Sequence, residues 1–183
     1  MTDGAKLQLN NLICSVAAGN SDGLDGIFYI AAKRMNIAAL TIVGDRAAAE
    51  DVVSDSFIKI ARFAKRYGRQ DDPMAWILKI VRNTALDYLR KRKRRAEVSC
   101  ERLYSLADEN GSPEKIERAV LLEQAISKLN GEERRVIYMR YYLDMTVREI
   151  GEATGLSRSS AERLIQRAEE NLKTFLKSGK NDG

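Results

Sequence analysis

The densest charge in the chain is Arg90-Lys91-Arg92-Lys93-Arg94-Arg95, six consecutive cations. Such a run neutralises phosphates and binds nucleic acid with strong salt dependence, and it also occurs as a plain solvated tail. Upstream, Lys79, Asn83, Asp87, Arg90 and Arg94 recur at helical spacing, on the face opposite an apolar stripe. The polar Asn83 and acidic Asp87 within that basic face favour a specific contact surface over a tail. Nearer the C-terminus, Arg158, Ser159, Ser160, Glu162, Arg163, Gln166 and Arg167 share one solvent face. Side chains of these types pair with base edges or phosphates when their helix lies in a major groove. The plain alternative is a solvated amphipathic helix. Catalytic chemistry is poorly served. Histidine is absent, which excludes a His-containing triad, a His-ligated metal or an imidazole base. There is neither a phosphate loop nor a recognisable pair of catalytic carboxylates. Cys14 and Cys100 make no CxxC pattern and suit small buried positions in a reducing compartment. No cofactor and no metal site are expected.

These side chains need helices to hold them. The apolar positions Ile77, Leu78, Val81, Ala85 and Leu89 predict a helix from Pro73 to about Arg95, with Trp76 anchoring its first turn. Before it, Asp45 is a good N-cap for a helix carrying Val53, Phe57, Ile60, Ala64 and Tyr67 and ending near Gly68. A first helix is expected from near Leu24 to Ile42, stopped by Gly44. Three helices of this length make one small bundle. Phe63 reads mainly as core. Tyr67 reads equally as core or as an aromatic beside a basic loop, able to stack on an unpaired base. Outside its apolar stripe the second helix shows Asp51, Ser54, Asp55 and Ile58, an acidic and apolar face that on pattern alone is most simply solvated.

The second half is helical again. Ile116, Ala119, Leu122, Ile126 and Leu129 form a stripe. Asn130 to Glu133 and Thr146 to Glu149 both have capping-box spacing. The first opens a helix through roughly Tyr142, the second a short helix ending at Thr154-Gly155. Ser157 then caps a long helix with Ala161, Leu164, Ile165, Ala168, Leu172, Phe175 and Leu176 on its inner face. A short capped helix, a glycine turn and a second helix is the helix-turn-helix arrangement, with Leu156 expected to plug the angle.

At 183 residues the chain holds one or two domains, and at 44% hydrophobic it can bury a core. The stretch from Met1 to Gly19 is too short in apolar run for a signal peptide, and no segment approaches a membrane span. Periodicity fades between residues 96 and 112. Lys79 to Arg95 carries eight basic residues against one acidic, whereas Ala96 to Glu133 carries four against nine. The expected layout is therefore all-α: residues 1–95 as one helical domain, 96–112 as a linker, and 113–183 as a helix-turn-helix domain.

Gly44-Asp45, Glu50 to Phe57, and Trp76, Ile80, Arg82, Asn83, Asp87 and Arg90 together resemble region 2 of the extracytoplasmic-function (ECF) sigma factors, in the sigma-70 family. Leu129 to Tyr142, Glu149 to Ser157 and Arg167 to Leu172 resemble region 4. The resemblance implies an alternative sigma factor that binds core RNA polymerase and directs it to promoters. By it, Asp51, Ser54, Asp55 and Ile58 face the polymerase clamp helices. Tyr67, Lys79, Asn83, Asp87, Arg90 and Arg94 read and help open the −10 element. The face from Arg158 to Arg167 reads the −35 element, while region 4 rests on the polymerase flap. An anti-sigma factor is an implied partner, as is a bacterial cytoplasmic location, held near the membrane where that partner is anchored there; no membrane insertion is expected. Ser54 stands where the family usually has Gln, and Ser160-Ala161 where Thr-Val is common. Two other functions compete: a stand-alone helix-turn-helix regulator, which leaves the basic helix idle, and a sigma-like decoy for an anti-sigma factor, which has no use for six cations.

Overall fold

The computed structural model describes residues 1–69, 71–95 and 113–178. The expected linker, Cys100 and the side chains of Arg94, Ile116 and Ala119 lie outside the described residues. The chain forms two compact units that divide between Glu101 and Arg102, and the described residues are helical with no strand.

Among the described residues the first unit has four helices where three are expected from the sequence: α1 (Asp3–Ala17), α2 (Asp22–Val43), α3 (Arg46–Ala64) and α4 (Pro73–Arg95). The additional α1 is capped by Thr2, whose side chain accepts from the Ala5 amide, and buries Leu9, Asn10, Ile13 and Val16. Helix α2 packs against each of the other three. A helix that packs against several neighbours needs a broad apolar face. Ile27, Ala31, Met35, Ala38 and Ile42 accordingly lie fully buried along it. This corrects the expectation that no segment approaches a membrane span: α2 is long and apolar enough to cross one by length and composition, and 44% of that stretch is buried inside the protein. Gly44 ends α2 at φ 73°, where a side chain would strain the backbone. Asp45 caps α3 by accepting from the Ala48 amide at 2.8 Å. The Asp72 carboxylate does the same for α4, at 3.1 Å from the Met74 amide and 3.2 Å from that of Ala75.

The second unit contains α5 (Pro113–Lys128), α6 (Gly131–Ile137), a π-helical turn (Tyr138–Tyr142), α7 (Val147–Thr154) and α8 (Arg158–Ser178). Helices α5, α6 and α7 all pack on α8. Both expected capping boxes form, at Asn130 with Glu133 and at Thr146 with Glu149. The helix after Asn130 reaches Tyr142 as expected, but its last turn widens. The Leu143 amide bonds the Tyr138 carbonyl at 3.1 Å, the five-residue step of a π-turn. That turn carries Met139 inward to full burial and leaves Tyr141 exposed. Of the stripe expected along α5, Leu129 is buried and Ile126 half-buried, whereas Leu122 is exposed and Ala125 is buried instead.

Candidate nucleic-acid interface

The helix-turn-helix is built from three local devices. Thr146 and Glu149 exchange hydrogen bonds at the start of α7, with the Thr146 amide donating to the Glu149 carboxylate at 2.8 Å. Gly155 turns the chain at φ 73°, a left-handed conformation. Gly151, which the sequence does not single out, lets the turn close onto α7: a Cβ there would sit 2.9 Å from the Leu156 carbonyl oxygen. Leu156 itself is 38% exposed and does not plug the angle, because its backbone makes the close approach instead. Ser157 then caps α8 by accepting from the Ser160 amide at 3.2 Å.

Along α8, Ala161, Leu164, Ile165 and Ala168 are buried. That register turns Arg158, Ser159, Glu162, Arg163, Gln166 and Arg167 to solvent, with Ser160 half-buried at the edge. The Arg163 guanidinium donates to Ser160 Oγ at 3.4 Å, which orients it along the helix. Arg167 is engaged more deeply. Its Nε donates to Glu133 Oε1 at 3.2 Å, and Asn171 Nδ2 donates to the same oxygen at 3.0 Å. Glu133 is 4% exposed and completes the capping box of α6, so one buried carboxylate joins α6 to α8. Arg135 donates to the Ala153 carbonyl at 3.2 Å, satisfying an acceptor in the last turn of α7. The Tyr141 hydroxyl donates to Glu169 Oε1 at 2.8 Å, and that bond, with some burial, pushes its pKa above the ordinary phenol value. Asn171, Arg135 and Gly151 carry no signal in the sequence pattern, and Glu133 reads there as a capping residue alone, without its link to α8.

In the first unit Lys79, Asn83, Asp87 and Arg90 lie exposed on one face of α4, backed by buried Ile77, Ile80, Val81 and Thr84. Asp87 is held from two sides, by Lys59 of α3 at 3.6 Å and by Arg90 at 3.3 Å. Tyr67 is half-buried. Its ring lies 4.7 Å from that of Trp76, and its hydroxyl donates to Asn10 of α1. Phe63, expected in the core, is 39% exposed because Ala64 takes the buried position at the end of α3. On the outer face of α3, Asp51, Ser54, Asp55 and Ile58 are all exposed. Phe57 beside them meets Phe28 of α2 at 5.6 Å between ring centroids, and Phe28 is itself mostly exposed. The acidic and apolar face of α3 therefore adjoins an aromatic surface that the sequence pattern does not announce.

Comparison with known proteins matches both units. Residues 31–95 match the family description Sigma-70 region 2, and residues 119–172 match Sigma-70, region 4. The ECF RNA polymerase sigma factor BldN of Streptomyces coelicolor is 24% identical over 180 residues, spanning 95% of this chain and 68% of that protein. The ECF RNA polymerase sigma factor SigM of Bacillus subtilis is 22% identical over 161 residues, spanning 87% of this chain and 98% of its own. Among solved structures, the sigma factor RpoE in complex with the anti-sigma factor NepR, from Bartonella quintana, superposes with a TM-score of 0.46 at 17% identity, covering 84% of this chain and 96% of that one. With both regions matched in order over well more than half of its length, the chain belongs to the sigma-70 family, in its ECF group.

Proposed function

We propose that this alternative sigma factor divides promoter recognition between its two units. Residues 1–95 serve core polymerase and the −10 element, residues 113–183 serve the −35 element, and residues 96–112 link them. Helix α3 meets the polymerase clamp helices through Asp51, Ser54, Asp55 and Ile58, with Phe28 and Phe57 extending the apolar part of that contact. The exposed face of α4 formed by Lys79, Asn83, Asp87 and Arg90 engages the −10 region, and Arg94 is assigned to the same role from the sequence. Helix α8 enters the −35 major groove with Arg158, Ser159, Ser160, Glu162, Arg163 and Gln166 toward base edges, while Arg167 braces it against α6; region 4 rests on the flap. The protein works in the cytoplasm as an initiation factor and not as an enzyme. An anti-sigma factor is the regulatory partner that membership of this group implies.

One observation carries most of the weight. A helix-turn-helix with a polar outward face and a separate bundle with a basic α4 face occur in the order of regions 2 and 4. Each unit is small, so joining them through polymerase raises the effective concentration of one on DNA once the other is bound. Purified protein mixed with core polymerase should give specific transcription starts on a genomic promoter pool, whereas the protein alone should bind promoter duplex weakly. Nanomolar, sequence-specific binding by the isolated chain at physiological salt would instead support a stand-alone regulator.

A further inference from the structure

Between α3 and α4 the chain passes through a short cationic connection. Lys65, Arg66 and Arg69 are exposed along it, and Tyr67 is turned inward. Two of these residues are tied to a helix far away in sequence. The Tyr67 hydroxyl donates to Asn10 Oδ1, and the Arg69 guanidinium donates to Asn11 Oδ1 at 2.9 Å. On its far side the connection is fixed by Asp72, which caps α4.

Asn10 is the informative residue. It is 8% exposed and sits between Leu9 and Ile13 on the buried face of α1, where an apolar side chain would serve packing better. A buried amide lowers stability unless its polar atoms are bonded, and Tyr67 supplies a donor to its carbonyl oxygen. The phenol is also held from the other side by Trp76 in the first turn of α4. Tyr67 is thereby gripped between α1 and α4, with cations on either side of it in sequence.

We propose that α1 is a positioning element for −10 recognition: Asn10, through Tyr67, sets the path of the connection from residue 65 to residue 69 and with it the placement of Lys65, Arg66 and Arg69 against the −10 strand. This rests on the assignment of the first unit to the −10 element. A cationic segment engages an unpaired strand through its phosphates, and a fixed path gives such contacts a preferred register. Asn10 and Tyr67 act through the connection and are positioning residues.

The test uses the full chain with core polymerase and two promoter libraries, one randomised at −10 and one at −35. The variants are Asn10→Ala, Tyr67→Phe and the two combined; Tyr67→Phe keeps the ring against Trp76 and removes only the hydroxyl. Each single change should reduce discrimination among −10 sequences by about 2- to 10-fold, the value of one net hydrogen bond. The double variant should lose no more than Asn10→Ala alone, since the bond that Tyr67→Phe removes is already absent there. The −35 preference and affinity for core polymerase should stay as in the wild type. Reduced output with an unchanged −10 ranking in Asn10→Ala would overturn the proposal, because α1 would then be packing alone. A wild type with no −10 preference in this assay would overturn the −10 assignment and the proposal together.

Discussion

Removing the Arg167 side chain separates two roles that the exposed face of α8 leaves superimposed. Glu133 lies with its side chain 5% exposed, while that of Arg167 is 59% exposed. Three donors reach the carboxylate: Arg167 Nε at 3.2 Å and Asn171 Nδ2 at 3.0 Å on one oxygen, and the Asn130 amide at 3.3 Å on the other. Arg167→Ala removes the cationic donor and leaves the other two. A hydrogen bond to a charged group contributes roughly 1.5–3 kcal/mol net. Because the arginine is more than half exposed, water replaces part of this, and the expected loss is about 1–2 kcal/mol. For a domain of this size that corresponds to a fall of roughly 4–15 °C in the melting transition of the second unit. Trp76, the sole tryptophan, lies in the first unit and provides an internal reference. Far-UV circular dichroism should therefore show an earlier transition while the tryptophan fluorescence transition stays in place. Arg167→Lys should fall between, since an ammonium keeps the charge and loses the guanidinium geometry. A variant that melts like the wild type, binds all promoters more weakly and shows a log-log salt slope smaller by about 0.9 would refute the brace and make Arg167 a phosphate ligand.

Three further outcomes are expected. Gly151→Ala places a methyl group 2.9 Å from the Leu156 carbonyl, a backbone atom that cannot swing aside, so the turn must open; a loss of about 1–3 kcal/mol in the second unit should appear in its melting curve, together with weaker −35 binding. Arg163→Ala should relax preference at one or two −35 positions by roughly 5- to 150-fold, the value of a bidentate arginine–guanine pair, and leave −10 preference intact in a randomised promoter assay. Replacing Arg92, Lys93, Arg94 and Arg95 with Gln should weaken DNA engagement across sequences and reduce the salt slope by about 0.9 for each phosphate no longer neutralised; an unchanged slope would mark the run as a solvated tail.

Much of the architecture is a local matter and can be read along the chain. Capping residues act within three positions of themselves, so Asp45, Asn130 and Thr146 announce the helices they start. A left-handed turn excludes most side chains, so Gly44 and Gly155 mark where α2 and α7 stop. Apolar spacing at 3.6 residues per turn selects the inner face of α8 and thereby its outer one. The −35 candidates from Arg158 to Arg167 follow from that register, as do Lys79, Asn83, Asp87 and Arg90 on α4.

Tertiary structure decided what depends on residues far apart in sequence. Helix α1 carries Asn10 within its apolar stripe, which blurs the helical pattern; its amide oxygen accepts from Tyr67, 57 positions away. Tyr67 could be assigned to core or surface with equal ease until α1 and Trp76 were placed around it. The composition of α2 passes for a membrane span because the core helix of a bundle and a lipid-facing helix satisfy the same test of length and hydropathy. Glu133 looks like an ordinary capping residue, and Arg167 like another cation on a DNA-facing helix. Their pairing across 34 positions turns one into a buried anchor and the other into its brace. Sequence determined which residues start, stop and face outward on each helix, since those are contests between neighbours along one backbone. Which polar side chains stay available to a partner was decided by packing, because a hydrogen bond to another helix removes a group from the surface without leaving a trace in the pattern around it.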